Sequence, residues 1–118
     1  MMRHTVCQVN DVLAGGLLYK TAGRTNIILL RLPSGEIKAI ASRCPHHGAN
    51  LAHGCITGYA AGTGPHDVHL ERQGEILRCP WHGFEFDIVT RRAVVESSAL
   101  SLREFKVVIE GDDVVVEA

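Results

Sequence analysis

The residues best suited to chemistry in this chain are its four cysteines and seven histidines. Two pairs of them sit in short, similar segments, Cys44-Pro45-His46-His47-Gly48 and Cys79-Pro80-Trp81-His82-Gly83. Each segment offers a thiolate, which is a soft anionic ligand, and an imidazole a few residues further on. Two loops so equipped can hold a binuclear metal site asymmetrically, with both thiolates on one metal and both imidazoles on the other. Zinc is the competing reading for four such ligands. Zinc sites of this composition usually pair Cys with Cys and His with His, and the Cys-His order repeated here fits that poorly. Pro45 and Pro80 fix φ and stiffen each loop. Gly48 and Gly83 permit backbone turns that bring amide N–H groups toward bound sulfur.

The rest of the chain has to position those loops. It is 118 residues long, enough for one small domain. Its 12 Lys and Arg against 13 Asp and Glu give a net charge of −1, which argues against a broadly basic nucleic-acid binder and a charged disordered tail. No apolar run approaches the roughly 20 residues of a membrane helix. Met1 to Cys7 lacks the apolar core of a secretory signal. The expectation is a soluble cytoplasmic protein with no membrane or nucleic-acid partner, in which reduced cysteines bind metal rather than form disulfides.

Alternating and β-branched runs predict short antiparallel strands. They are expected at Thr5–Val9, Leu17–Lys20, Asn26–Leu32, Ile37–Ala41, Phe105–Ile109 and Val114–Val116. Pro33-Ser34-Gly35 and Gly111-Asp112-Asp113 supply hairpin turns. Asp11–Ala14 could form a helical turn. The fold class read from this pattern is all-β, a small antiparallel sandwich or barrel, with the two loops as a cluster-binding subdomain. One domain is expected over 1–118, with the binding region at about 44–87. That region is irregular, with Gly58 to Asp67 loop-like and Val68–Glu71 a candidate short strand. A long irregular stretch bracketed by ligand-type residues points to function.

Cys44-Pro45-His46-His47-Gly48-Ala49-Asn50-Leu51 and Cys79-Pro80-Trp81-His82-Gly83-Phe84-Glu85-Phe86-Asp87 resemble the two cluster-binding boxes of the Rieske iron–sulfur family. The flanking strands suit its β fold, so the resemblance covers most of the chain. It implies one [2Fe–2S] cluster, with Cys44 and Cys79 on one iron and His46 and His82 on the other. The C-x-H spacing favours His46 over His47, which is read as a solvent-facing neighbour. The 32 residues between His46 and Cys79 exceed the family's usual interval. The extra length is expected at about 56–74, as a longer hairpin or a surface loop.

Respiratory members of the family carry an additional cysteine in each box, where this chain has Ala49 and Trp81. They also place Ser and Tyr hydroxyls where this chain has Phe84 and Phe86. With those donors missing, the reduced cluster is less stabilised and a low potential is expected. The chain is therefore similar to the soluble ferredoxins of aromatic-ring oxygenase systems. That resemblance implies a flavin-containing NAD(P)H reductase as donor, a terminal oxygenase as acceptor, and no substrate-converting site of its own. A small subunit of a larger reductase, of the nitrite reductase type, and a redox-responsive adaptor are the alternatives.

The remaining candidates have structural readings. Trp81 either shields the cluster from water or faces a partner, with shielding the simpler role. His53, His66 and His69 are read as surface histidines, a second metal site being the alternative. Cys7, in an alternating strand, is expected as a buried small apolar residue. A Cys7–Cys55 disulfide is disfavoured in a reducing compartment. Glu110, Asp112, Asp113 and Glu117 read as a solvated hairpin end.

Overall fold

A computed structural model describes residues 2–45, 48–61, 69–81, 83–95 and 99–118. Its organising strand is β3, Thr25–Arg31. The run Ile27-Ile28-Leu29-Leu30 is at most 1% exposed, as befits a strand covered on both faces. Successive side chains point to opposite faces. Ile27 and Leu29 join one core with Ala39, Phe105, Val114 and Val116. Ile28 and Leu30 join another with Leu51, Leu77, Phe86 and Ile88, and that second core also contains Cys44 and Cys79.

Strand β3 pairs antiparallel with β2, Leu18–Ala22, and with β4, Ile37–Ala41. The β3–β4 turn closes as the sequence predicts, with the Gly35 N–H donating to Leu32 O at 2.8 Å. Strands β1 (Arg3–Gln8), β8 (Glu104–Glu110) and β9 (Asp113–Glu117) complete a six-stranded sheet in the order β1-β9-β8-β4-β3-β2. Its outer strands β1 and β2 approach each other, so the sheet is nearly closed. Closure of this kind leaves little free edge for unwanted pairing.

The helical turn expected at Asp11–Ala14 falls instead at Val9–Asp11. The Asp11 carboxylate accepts the Gln8 N–H at 2.9 Å and closes the turn from its own C-terminal side. Arg31 then holds it, donating to Val9 O at 2.8 Å and Val12 O at 2.9 Å.

A second, three-stranded sheet has the order β5-β6-β7, with β5 at Cys55–Ala61, β6 at His69–Arg78 and β7 at Glu85–Asp87. The stretch 56–74 thus holds most of β5 and the first part of β6, paired as antiparallel strands. Residues 62–68 lie outside the described ones. Strand β6 reaches well beyond the short strand expected at Val68–Glu71. Strand β7, which no sequence pattern announced, is only three residues long, but its Phe86 is wholly buried. Among the described residues no helix is long and apolar enough to cross a membrane.

Candidate metal centre in two matched loops

The two Cys-Pro segments form loops of the same construction. Each occupies six residues, 44–49 and 79–84, and each is closed by a β-pair at its base: Arg43 with Asn50, and Arg78 with Glu85. In the first loop the Cys44 N–H donates to Ala49 O at 2.8 Å; in the second the Cys79 N–H donates to Phe84 O at 2.7 Å. The same hydrogen bond, five residues forward, therefore shapes both. Gly48 and Gly83 take φ of 76° and 64°, a left-handed conformation that favours glycine. Both also leave room for an arginine. A Cβ at Gly48 would stand 3.0 Å from Arg43 Nε, and one at Gly83 2.8 Å from Arg78 Nη2.

The loops meet because their bases do. The first continues into a short 3-10 turn, Leu51–His53, capped by Asn50, whose Oδ1 accepts the Ala52 N–H at 3.0 Å. Gly54 follows, with its backbone against the Arg78 carbonyl so closely that a Cβ there would be driven into it. Chain leaving the first loop is thereby pressed on the residue that opens the second. Leu51, wholly buried, fills the space beneath both.

The result is a pair of buried thiols. Cys44 is 1% exposed and Cys79 2%, and the two side chains are close enough to hydrogen-bond. Burial pushes the Cys79 thiol up from its ordinary value, and the backbone N–H of Trp81 pulls the other way, while neighbouring Cys44 raises it further. Two sulfurs facing each other in an apolar pocket, unjoined by a disulfide and with an N–H aimed at one of them, suit a soft metal that takes up thiolate charge. The donor set therefore fits an iron–sulfur cluster.

The other two expected ligands, His46 and His82, and their neighbour His47 lie outside the described residues. Trp81 is 52% exposed at the tip of the second loop, which favours the partner-facing reading over shielding. Phe86, Leu51, Leu77 and Ile88 enclose the thiols, and Phe84 stacks at a tilt on Phe86 with ring centroids 5.1 Å apart. Cys7, expected to be buried, is only half-buried because it lies on the outer strand β1, and Cys55 is exposed; both are free thiols. Cys55 stands opposite Arg78 and, with His53, Pro80 and Gly83, lines a depression of about 320 Å³ beside the second loop. Among the described residues no three His, Cys, Asp or Glu side chains gather into a further metal group. Arg43 and Arg78 were not singled out by residue type. The signal that could have found them is the Arg-Cys-Pro triplet, which opens both segments.

Comparison with known proteins agrees with this geometry. The Rieske [2Fe-2S] domain profile matches residues 2–106. Mouse apoptosis-inducing factor 3 is 32% identical over 114 residues, which is 97% of this chain but 16% of that protein's length. The solved ferredoxin of Sphingomonas yanoikuyae B1 shares the fold with a TM-score of 0.75 at 23% identity, covering 99% of each chain. A chain from the complex of reduced oxygenase and oxidized ferredoxin in carbazole 1,9a-dioxygenase gives 0.71 at 22% identity, over 96% of this chain and 99% of that one. With its all-β frame, its two matched loops and its buried thiol pair, the chain belongs to the Rieske [2Fe-2S] domain family and its cofactor is one [2Fe–2S] cluster.

Proposed function

We propose that this chain is a soluble cytoplasmic ferredoxin that takes single electrons from an NAD(P)H-dependent flavin reductase and passes them to an oxygenase. The observation that carries the reading is the convergence of the two loops, which brings Cys44 and Cys79 together in one buried pair. In this reading Cys44 and Cys79 hold one iron, and His46 and His82, from the same loops, hold the other. The bound cluster supplies one reversible electron at a time. The protein's own part is to seat that charge, to keep water from the sulfurs with Phe86, Leu51 and Leu77, and to leave the loop tips exposed for a brief, small interface. A low potential accords with Phe84 and Phe86, whose side chains have no hydroxyl to offer a sulfur. The domain acts as one unit over 1–118, with its cluster region at about 44–87 and no substrate-converting site of its own. The neighbouring ferredoxin–oxygenase complex supports an oxygenase as acceptor.

A second reading is favoured by one observation. The chain spans 16% of the length of its curated relative, so a domain of this kind also works inside longer proteins. A fixed place in a larger reductase, of the nitrite reductase type, is that reading.

Anaerobic purification followed by iron and sulfide analysis, with EPR of the reduced protein, tests the proposal. Iron and acid-labile sulfide in equal amounts with a Rieske-type signal are expected; zinc alone would overturn the ligand assignment. Co-purification in fixed stoichiometry with a large enzyme would favour the second reading.

A further inference from the structure

Acidic residues avoid the loops altogether. The sequence has no Asp or Glu between Glu36 and Asp67, and none between Glu75 and Glu85, although thirteen occur in the chain. Those two intervals contain both cluster loops and the base of the first; at the base of the second, Glu85 is the one acidic residue. Their cations are Lys38, Arg43 and Arg78, and Lys38 is committed to Glu104 at 3.0 Å. Arg43 and Arg78 are exposed and make no ion pair among the described residues. Glu85 stands opposite Arg78 in the β6–β7 register, yet the guanidinium lies over Gly83 of its own loop instead. Arg43 lies over Gly48 in the same way. One unpaired positive charge thus flanks each loop, and between them the tips present Pro45, Pro80 and Trp81, all exposed.

The opposite sign collects elsewhere. Strand β8 starts beside the C-terminal half of β4, from which the first loop departs, and runs away from it. At its far end the β8–β9 turn carries Asp112 and Asp113, and the Val9 N–H donates to Asp112 O at 2.8 Å, which brings the Asp11 turn alongside. None of the three makes an ion pair among the described residues. Arg31, donating to Val9 O and Val12 O, offsets part of that charge, so the contrast is between two unpaired arginines at the loops and three carboxylates here. Such a distribution orients a molecule as it approaches a charged partner and raises the encounter rate.

We propose that the loop face is a cationic docking surface for a redox protein whose electron port is rimmed with carboxylates around a shallow apolar seat for Trp81. The inference rests on the electron-carrier reading, and its test separates the two. Cluster-loaded protein, its visible spectrum recorded first, is placed on gold electrodes coated with carboxylate-terminated or amine-terminated monolayers. Electron exchange should be at least about tenfold faster on the carboxylate surface. The preference should vanish as salt rises from about 10 mM to about 1 M, where screening shortens to a few ångströms. Arg43→Gln with Arg78→Gln should abolish the preference; Arg43→Lys with Arg78→Lys should restore it, which a merely structural role for the guanidinium would not do. Asp112→Asn with Asp113→Asn should leave it in place.

Retention of the same proteins on a carboxymethyl support reads the charge of the face without using the cluster. A parent that carries no cluster but is retained, and released by the glutamine pair, would defeat the carrier reading alone. Equal exchange on both electrodes, or an unaltered preference in the glutamine pair, would overturn the docking surface. Binding to phosphatidylglycerol vesicles with no preference for the carboxylate electrode would also overturn it, in favour of a lipid surface.

Discussion

At the scale of single residues, the proposed assignment of Cys44 and Cys79 to one iron and His46 and His82 to the other has a direct consequence. Each iron needs both its protein ligands, so Cys44→Ser, His46→Ala, Cys79→Ser and His82→Ala should each eliminate the Rieske-type EPR signal. His47→Ala should keep it. A signal that survives His46→Ala and dies in His47→Ala would reassign the first loop. The sulfurs' surroundings bear on the potential. Rieske centres span about −150 to +300 mV, and Phe84 and Phe86 argue for the low end. A hydrogen bond to a charged group contributes about 1.5–3 kcal/mol, and about 1.4 kcal/mol is 59 mV for one electron. Phe84→Ser with Phe86→Tyr should therefore raise the potential by roughly 60 mV or more in protein-film voltammetry. Phe86 is wholly buried, so a tyrosine hydroxyl there must find a sulfur or stay unpaired, and an unchanged potential would count against the hydrogen-bond explanation. Both cysteines were legible in the sequence because the Cys-Pro-x-His-Gly pattern is local. The role of Trp81 was not, since a tryptophan beside a ligand is equally compatible with facing inward or outward.

At the scale of elements, strands with a strong pattern were legible and those held by side-chain chemistry were not. Asn26–Leu32 and Ile37–Ala41 with their Pro33–Gly35 turn emerged within a residue or two, because period and turn agree. Strand β6 has no such pattern. It contains Gly74 at φ 88° and Arg72 at φ 50°, and the β5–β6 register breaks between Thr57 and Tyr59. What steadies it is Arg72, which holds Glu75 at 2.7 Å and grips both Asp87 oxygens, at 2.5 and 3.0 Å. Asp87 in turn accepts the Val89 and Thr90 N–H groups. Burial works to raise the Asp87 carboxyl, but Arg72 and those two N–H groups outweigh it and hold it below its ordinary value. Its contribution is therefore present above the unfolded carboxylate value of about 3.9 and lost as pH falls through the lower folded value. Asp87→Asn should cost about 1–2 kcal/mol near neutral pH, allowing for solvent screening around the half-exposed arginine. Thermal unfolding of parent and variant should converge below about pH 4; a gap that stays constant from neutral to acid would mean the carboxylate charge is irrelevant.

At the scale of the whole molecule, β3 divides the interior in two, and the division is testable. Leu29 and Leu30 are adjacent and equally hidden, but they face different cores. Leu29→Ala and Leu30→Ala should each cost about 2–5 kcal/mol in denaturant unfolding. Only Leu30→Ala removes packing from the core that contains Cys44 and Cys79, so it alone should disturb the visible spectrum and EPR line shape. Equal disturbance by both would show that the two cores act as one. The continuous apolar run made burial of β3 on both faces readable from sequence. What lay on each side of it was not, because β5 and β7, which belong to the second sheet, are brought there by contacts far apart along the chain.

The closeness of the two thiols has a consequence for maturation and storage. In the folded chain Cys44 and Cys79 stand within hydrogen-bonding reach, and dioxygen can accept two electrons and two protons from such a pair of free thiols as they join. An empty protein left in air should then lose its capacity for loading, as the pair closes into a disulfide, and regain it on treatment with a thiol reductant. Titration under denaturing conditions would show it: all four cysteines free in fresh anaerobic apoprotein, two of them gone after ageing, and Cys7 and Cys55 still identifiable by alkylation and mass spectrometry. An aged sample with all four thiols intact that still refuses iron and sulfide would place the damage elsewhere. For a cell, the same proximity sets a time limit: the newly made chain has to meet its source of iron and sulfide before it meets an oxidant.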